Sequence, residues 1–214
     1  MRYKFSDKEI KEILDKMVII VDTREQANAH IIQWLQKKKK PYKTQKLDYG
    51  DYSCYLPAGS FKGQQRDVYF TNDIAIERKF CIDEIAMNLK DNKTNINEIK
   101  KEIIDLLGKE YLEKVLKTDY NRLKYEFANM NRYGIEFFIF MEDKDFDENI
   151  RNKNYRAQYE PTTLYARIKG LEREFSTIIR PIDKSMIGSE IYNTLRYSIR
   201  NVLKHKGYIE EIQE

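Results

Sequence analysis

The segment Ile74–Lys79 carries side chains suited to phosphodiester chemistry. If it forms a strand, Glu77 and Lys79 project from one face and Arg78 from the other, because side chains alternate along a strand. The two isoleucines of the segment share the face of Arg78, so we expect that face to be buried where the strand begins. For an isolated Glu-x-Lys, a surface ion pair is the simpler interpretation.

Three further acids make chemistry the better interpretation. Asp22 follows an apolar run, Asp51 follows a glycine in a turn between predicted strands, and Asp83 opens the helix after Lys79. Carboxylates that converge from several strand ends form the hard oxygen site that Mg²⁺ prefers. A lysine beside such a site can position or activate water, or stabilise charge on a phosphate. Metal-dependent phosphodiester hydrolysis needs this combination of an acid and an acid-x-lysine on adjacent strands.

The pattern of apolar residues predicts the elements that must position these side chains. Residues 17–21 and 135–140 are continuous apolar runs that indicate buried strands. Further strands are predicted at 42–47, 52–56, 67–70, 73–79 and 176–179. Helices are predicted at 8–16, 27–40, 82–89, 99–107, 120–133, 161–175 and 185–204. Residues 141–156 are expected to be a surface loop. The alternation of strands and helices predicts one α/β domain over residues 1–214, with a mixed, largely parallel sheet flanked by helices.

Composition limits the class of protein. The chain has 214 residues, of which 41% are hydrophobic, so it can form a core and is not disordered throughout. Its formal net charge of +4 is too small to indicate a nucleic-acid partner by itself. Two cysteines exclude a disulfide scaffold and a multi-cysteine zinc site, and fit a reducing cytoplasm. A polar N-terminus and short apolar runs predict no signal peptide, no membrane span and a cytoplasmic location.

Three strings of residues resemble the motifs of the XPF/Hef structure-specific endonucleases, which are V-D-x-R-E, G-D and E-R-K-x-x-x-D in that order. The strings are Val21-Asp22-Thr23-Arg24-Glu25, Gly50-Asp51 and Glu77-Arg78-Lys79-Phe80-Cys81-Ile82-Asp83. The resemblance implies a restriction-endonuclease-like PD-(D/E)xK fold with its core motifs in residues 17–90. It also implies a site that binds Mg²⁺, with Mn²⁺ as a substitute. The implied metal ligands are Asp22, Asp51 and Glu77, and the implied water-handling lysine is Lys79. The resemblance also implies Arg78 and Asp83 as supporting residues of the site. Arg24 and Glu25 are expected at its edge.

The chain departs from that family pattern in three places. The stretch between Asp51 and Glu77 is longer than the signature, and we expect residues 57–70 to form a longer hairpin, since hairpin loops tolerate insertion at low cost. Residues 90–119 resemble a helical insertion. No pair of helix-hairpin-helix motifs is present, so the chain resembles the compact versions of bacteriophages and mobile elements, which implies a bacterial or phage-infected host cytoplasm.

Several basic residues are candidates for contact with DNA. Arg122 lies in a segment that resembles the family's next helix, in which an arginine faces the site. Arg196, Arg200 and Lys204 recur every four residues beside an apolar stripe on the last predicted helix. They are either solvated surface or contacts to the DNA backbone. The same helix, within the C-terminal helices 161–205, is the candidate for a homodimer interface. No role is assigned to His30 or His205.

The function predicted from the sequence is a Mg²⁺-dependent DNA endonuclease that cuts branched or flap-like DNA during repair, recombination or phage DNA processing. Two alternatives remain open at this stage. One is a catalytically silent module that binds or scaffolds DNA junctions, although such modules usually lose the acids that are present here. The other is a general nuclease acting on duplex DNA.

Overall fold

A computed structural model of the chain describes residues 3–89, Gly108 and residues 119–211. The strands are β1 (Tyr3–Phe5), β2 (Val18–Val21), β3 (Tyr42–Thr44), β4 (Tyr52–Leu56), β5 (Val68–Tyr69), β6 (Ile74–Lys79), β7 (Glu136–Met141), β8 (Ile178–Pro181) and β9 (Ile209–Glu211). The helices are α1 (Asp7–Asp15), α2 (Ala29–Lys37), α3 (Ile82–Asn88), α4 (Asp119–Arg132), α5 (Phe146–Arg151), α6 (Pro161–Phe175) and α7 (Ile187–His205).

The main sheet has seven strands and mixed direction. Its order is β3-β2-β4-β6-β7-β8, with β5 paired to β4. β3 runs parallel to β2, and β6, β7 and β8 run parallel to one another, whereas β4 is antiparallel to β2, β5 and β6. The predicted mixed sheet flanked by helices is therefore confirmed. The expectation that it is largely parallel is also confirmed, since β4 alone runs against the other six strands. β4 is reversed because the short connection 45–51 returns the chain at the same sheet edge, without the crossover that a parallel partner requires.

Helices cover both faces of this sheet and form two hydrophobic clusters. Side chains of α1, α2 and α7 pack with those of β2 and β4 in one cluster. Side chains of α3, α4 and α6 pack with those of β7 in the other. On α7, Ile191, Leu195 and Ile199 are fully buried, which confirms that the apolar stripe predicted on the last helix is core.

The structure differs from the sequence prediction in two local features. Helix α5 lies inside the stretch 141–156 that was expected to be a loop, and its buried residues are Phe146 and Ile150, a single apolar i, i+4 pair among charged neighbours. Strands β1 and β9 form a separate parallel pair that joins two distant parts of the chain. The predicted helix at 99–107 lies outside the described residues.

Gly50 allows two strands to approach each other at the edge where the candidate residues lie. Its φ is +67°, and a Cβ built on it would lie 2.8 Å from the backbone oxygen of Ile76. The next backbone N–H, that of Asp51, donates to this same oxygen at 2.8 Å. Only glycine accommodates both the positive φ and the close contact without strain. None of the helices in the described ranges is long and apolar enough to span a membrane.

Candidate active site

The three strands that carry the predicted acids meet at one edge of the sheet. The N–H of Asp22, directly after β2, donates to the backbone oxygen of Asp51 at 2.8 Å. In the β4–β6 pairing, Tyr52 lies opposite Ile76, and the backbone N–H of the preceding residue, Asp51, donates to Ile76 O at 2.8 Å. Asp51 is thereby held near Glu77, the residue that follows Ile76, and burial and then the charge of Glu77 raise the pKa of Asp51.

Asp51 is the most strongly perturbed acid of this edge. Its Oδ2 accepts a hydrogen bond from the backbone N–H of Arg78 at 2.8 Å. Burial and then the nearby charge of Glu77 raise the pKa of Asp51 to about 8, against the opposing effect of that hydrogen bond. Two carboxylates held so close repel each other when both are charged, and a bound cation relieves that repulsion.

Lys79 lies beside the carboxylate pair in its cationic form. Its Nζ is 2.7 Å from Glu77 Oε1 and 3.4 Å from Glu84 Oε1. Burial lowers the pKa of Lys79, but the charges of Glu77 and Glu84 and the hydrogen bond to Glu77 outweigh it and raise the pKa above its usual range. Lys79 is thus suited to stabilising negative charge and to orienting a water molecule. The predicted common face of Glu77 and Lys79 is confirmed.

Asp22 is buried and fully engaged with its own neighbours. Its Oδ1 accepts from the backbone N–H of Arg24 at 2.8 Å and from Arg24 Nε at 2.7 Å, and its Oδ2 accepts from the N–H of Leu47 at 2.6 Å. Burial alone would raise the pKa of Asp22, but the hydrogen bonds from Arg24 and Leu47 lower it overall. Arg24 folds back onto this acid while its own side chain remains 58% exposed at the rim.

The three predicted metal ligands do not converge on one point. Within residues 3–89 and 119–211, no three acid, histidine or cysteine side chains are arranged to hold a metal ion. Both oxygens of Asp22 are occupied, which leaves Asp51 and Glu77 as the available carboxylates. The assignment of Asp22 as a metal ligand remains a prediction that requires Arg24 to release it.

The residues present fit a hard divalent cation. Mg²⁺ keeps several waters and is usually bound through one or two carboxylates together with substrate phosphates. Asp51 and Glu77 supply two carboxylates of this kind. Burial and the charge of Glu77 raise the pKa of Asp51, an effect that a bound cation would oppose. The donor set is all oxygen, as Mg²⁺ and Mn²⁺ prefer.

Arg78 organises a buried ionic network on the opposite face of β6. Its Nη2 donates to Glu25 Oε1 at 2.7 Å, and its Nη1 lies 3.4 Å from Glu142 Oε2. The side chains of Arg78 and Glu142 are only 4% and 1% exposed. His30 Nε2 lies 2.6 Å from Glu142 Oε1 and links the network to the surface. The network fixes Arg78, whose backbone N–H in turn orients Asp51.

Sequence reasoning missed Glu84, Glu142 and His30. Glu142 directly follows β7. It is therefore a polar residue at the end of a buried strand, which is the pattern that identified Asp22. Glu84 links two consecutive residues at the end of β6: its Oε2 accepts a hydrogen bond from the N–H of Phe80 at 2.9 Å, and its Oε1 contacts Lys79. No comparable pattern marked His30.

The remaining predicted residues have partners within the chain. Asp83 Oδ1 accepts from the backbone N–H groups of Arg156 and Ala157 at 2.8 and 2.7 Å, so it supports the loop before α6. Arg122 pairs with Glu126 at 3.4 Å. Two of the three basic residues of α7 pair with α1: Arg196 with Asp15, and Arg200 with Asp7 at 3.3 Å. Lys204 is half-buried on the same helix. Contact of these basic residues with DNA remains a prediction.

A mixed sheet with an acid, an acid-x-lysine and a buried arginine at one edge is the arrangement that the resemblance to the XPF/Hef endonucleases implies. The sequence model of the ERCC4 domain matches residues 21–186, and the chain belongs to that family. This match confirms the resemblance to the XPF-type nuclease domain.

Solved structures and curated proteins were also compared. XPF from Aeropyrum pernix is 17% identical with a TM-score of 0.48, and covers 85% of this chain and 61% of its own. The same protein in complex with DNA is 16% identical with a TM-score of 0.47, and the match covers 86% of this chain and 66% of that one. The chain thus spans less than two thirds of each of these structures. No curated protein matches it.

Proposed function

We propose that this protein is a divalent-metal-dependent endonuclease that hydrolyses phosphodiester bonds in branched or flap-like DNA. Membership of the ERCC4 family, a family of nucleases, supports the reaction class. The observation that carries the proposal is the arrangement at the sheet edge, where the charge of Glu77 acts on Asp51 and Lys79 Nζ lies 2.7 Å from Glu77 Oε1. The XPF protein solved with DNA supports DNA as the partner.

Each residue of the site has a definable part in this reaction. Asp51 and Glu77 would hold Mg²⁺, which when bound supplies Lewis-acid polarisation of a phosphate and a lower pKa for water. Lys79 orients the attacking water or stabilises the negative charge that develops on the phosphate. The backbone N–H of Arg78 keeps Asp51 in place, and the ion pairs of Arg78 keep that strand end rigid. The proposed products carry a 5′-phosphate and a 3′-hydroxyl.

Purified full-length protein tests the proposal directly. With Mg²⁺ or Mn²⁺ it should cut flap, fork or Holliday-type substrates faster than plain duplex, and EDTA should stop the reaction. Both Asp51→Asn and Lys79→Ala should abolish cutting with circular dichroism unchanged, while Glu174→Gln, which removes the charge of an exposed ion pair, should cut normally. Wild-type rates in either of the first two variants would refute the assigned roles.

The same assay separates the alternatives. Salt-sensitive binding to junctions without metal-dependent cutting would indicate a silent binding module. Equal rates on duplex and branched DNA would indicate a general nuclease. The proposed homodimer through the C-terminal helices is tested by measuring the mass of the protein in solution at several concentrations.

A further inference from the structure

Phe80 exposes its ring at the catalytic edge of the sheet. The chain has ten phenylalanines, all within the described ranges, and nine of them are buried or half-buried. The Phe80 side chain is 57% exposed. Because burial of an apolar ring stabilises the folded state, this ring lacks a stabilisation that the other nine obtain at least in part.

The backbone that carries this ring is held by the site itself. The N–H of Phe80 donates to Glu84 Oε2 at 2.9 Å, and Glu84 Oε1 lies 3.4 Å from Lys79 Nζ. One carboxylate therefore ties the catalytic lysine and the backbone of Phe80 together. Phe80 directly follows Lys79, so their Cα atoms lie about 3.8 Å apart and the ring is attached to the residue next to the lysine that is proposed to handle the phosphate.

We propose that Phe80 stacks on an unpaired nucleobase next to the scissile phosphate and thereby favours branched over fully paired DNA. The inference rests on the proposed nuclease function and deepens it by assigning a specificity-determining residue. Bases inside a duplex already stack on their neighbours, so an aromatic ring finds a free face only where pairing or stacking is interrupted. Stacking of this kind accepts every base, which suits an enzyme that recognises the structure of DNA.

Basic side chains at the same edge of the sheet suit a DNA strand with an unpaired base. Lys79 precedes Phe80 and its Nζ lies 2.7 Å from Glu77 Oε1, and Arg24 pairs with Asp22 at the rim of this edge with its side chain 58% exposed. Basic groups for the phosphates are therefore present at the edge that carries the ring. Exposure alone would carry no such inference, because single exposed apolar residues are common. Tyr133, which is 65% exposed and precedes β7 at the end of that strand opposite to Glu142, provides the matched control.

The test compares substrates that differ by one base. A flap substrate with a normal base beside the scissile phosphate is compared with the same flap carrying an abasic residue there, under single-turnover conditions with Mg²⁺. Phe80→Ala should lower kcat/KM on the normal flap by about 5- to 150-fold, which corresponds to ~1–3 kcal/mol per stacked base. On the abasic flap, Phe80→Ala and the wild type should cut at equal rates. Phe80→Trp should retain discrimination between the two flaps, and Tyr133→Ala should behave as the wild type on both.

Two results would overturn the inference while leaving the nuclease function intact. One is that Phe80→Ala cuts the normal flap as fast as the wild type does. The other is an equal loss on normal and abasic flaps, which would indicate a structural role for the ring. If the wild type cuts no DNA in the presence of metal, the proposed function and the inference fall together.

Discussion

Replacing Glu142 by glutamine should destabilise the fold by removing one anion from the buried network around Arg78. Glu142 Oε2 lies 3.4 Å from Arg78 Nη1, and both side chains are almost fully buried. The substitution keeps the shape of the side chain and the backbone bond from the Glu142 N–H to Lys79 O, which measures 2.9 Å. The change therefore isolates the charge.

The expected loss follows from the geometry. At 3.4 Å and an effective dielectric constant near 20, the attraction between two unit charges is about 5 kcal/mol. Breaking a buried ion pair by removing one partner typically costs about 3–5 kcal/mol. Arg78 retains Glu25 at 2.7 Å, so its charge stays partly compensated and we expect the lower value, ~3 kcal/mol. For a chain of this size that corresponds to a fall in Tm of roughly 6–12 °C.

Thermal unfolding followed by circular dichroism measures this effect at neutral pH. Glu174→Gln makes the same chemical change in an exposed ion pair with Lys124, and should cost less than 1 kcal/mol. If Glu142→Gln unfolds within 2 °C of Glu174→Gln, the buried network contributes nothing measurable and the reasoning from its geometry is wrong.

Two further predictions concern the strand ends that position the site. Gly50→Ala should lower the free energy of unfolding, measured in urea, by ~2 kcal/mol or more, because a Cβ at this positive φ would lie 2.8 Å from the Ile76 oxygen. The control Gly59→Ala has a similar φ of +75° but open space around its Cβ, so it should cost about half as much. Equal losses in the two variants would argue against the close contact. In metal-free protein the pKa of Asp51 is raised to about 8, from about 3.9 in the unfolded chain. The folded state therefore binds the Asp51 proton more tightly than the unfolded state does. The stability that this proton contributes is complete below about pH 4 and is lost as the pH rises towards 8. Asp51→Asn should flatten that decline in urea midpoints measured in EDTA, and Mg²⁺ should restore wild-type stability at pH 8 because it binds only the folded state. Parallel pH profiles for the wild type and the variant, or no effect of Mg²⁺, would contradict this assignment.

The sequence predicted the elements whose local pattern is strong. The apolar runs that became β2 and β7 and the alternation along β6 were sufficient to assign strands and to place Glu77 and Lys79 on one face. The pattern failed where distant partners decide the structure. The pairing of β1 with β9 has no local signature, and α5 depends on two apolar residues that find a cluster formed by other elements.

The site was predictable as a set of positions but not as a set of contacts. Motif order placed Asp22, Asp51 and Glu77 at one sheet edge, as the structure shows. It could not show that Arg24 folds back onto Asp22. The direction of that arginine depends on the loop that supplies the Leu47 N–H to Asp22, and that loop lies more than twenty residues further along the chain. Nor could it show that Glu142, far along the chain, joins Arg78.

The ionic contacts at this edge explain why a metal should bind at Asp51. Asp22 is neutralised by Arg24, Glu77 by Lys79, and Glu25 and Glu142 by Arg78. Within the described ranges, Asp51 has no such ion pair and receives only the N–H of Arg78. Burial and then the charge of Glu77 raise the pKa of Asp51, and no ion pair offsets them. The ion pairs of the other acids hold the strand ends rigid. In the proposed metal-dependent reaction, Asp51 is therefore the carboxylate at which a divalent cation would be most strongly stabilised. The small net charge of +4 therefore does not indicate how the charges are distributed, because at this edge all but one of these acids have a cationic partner.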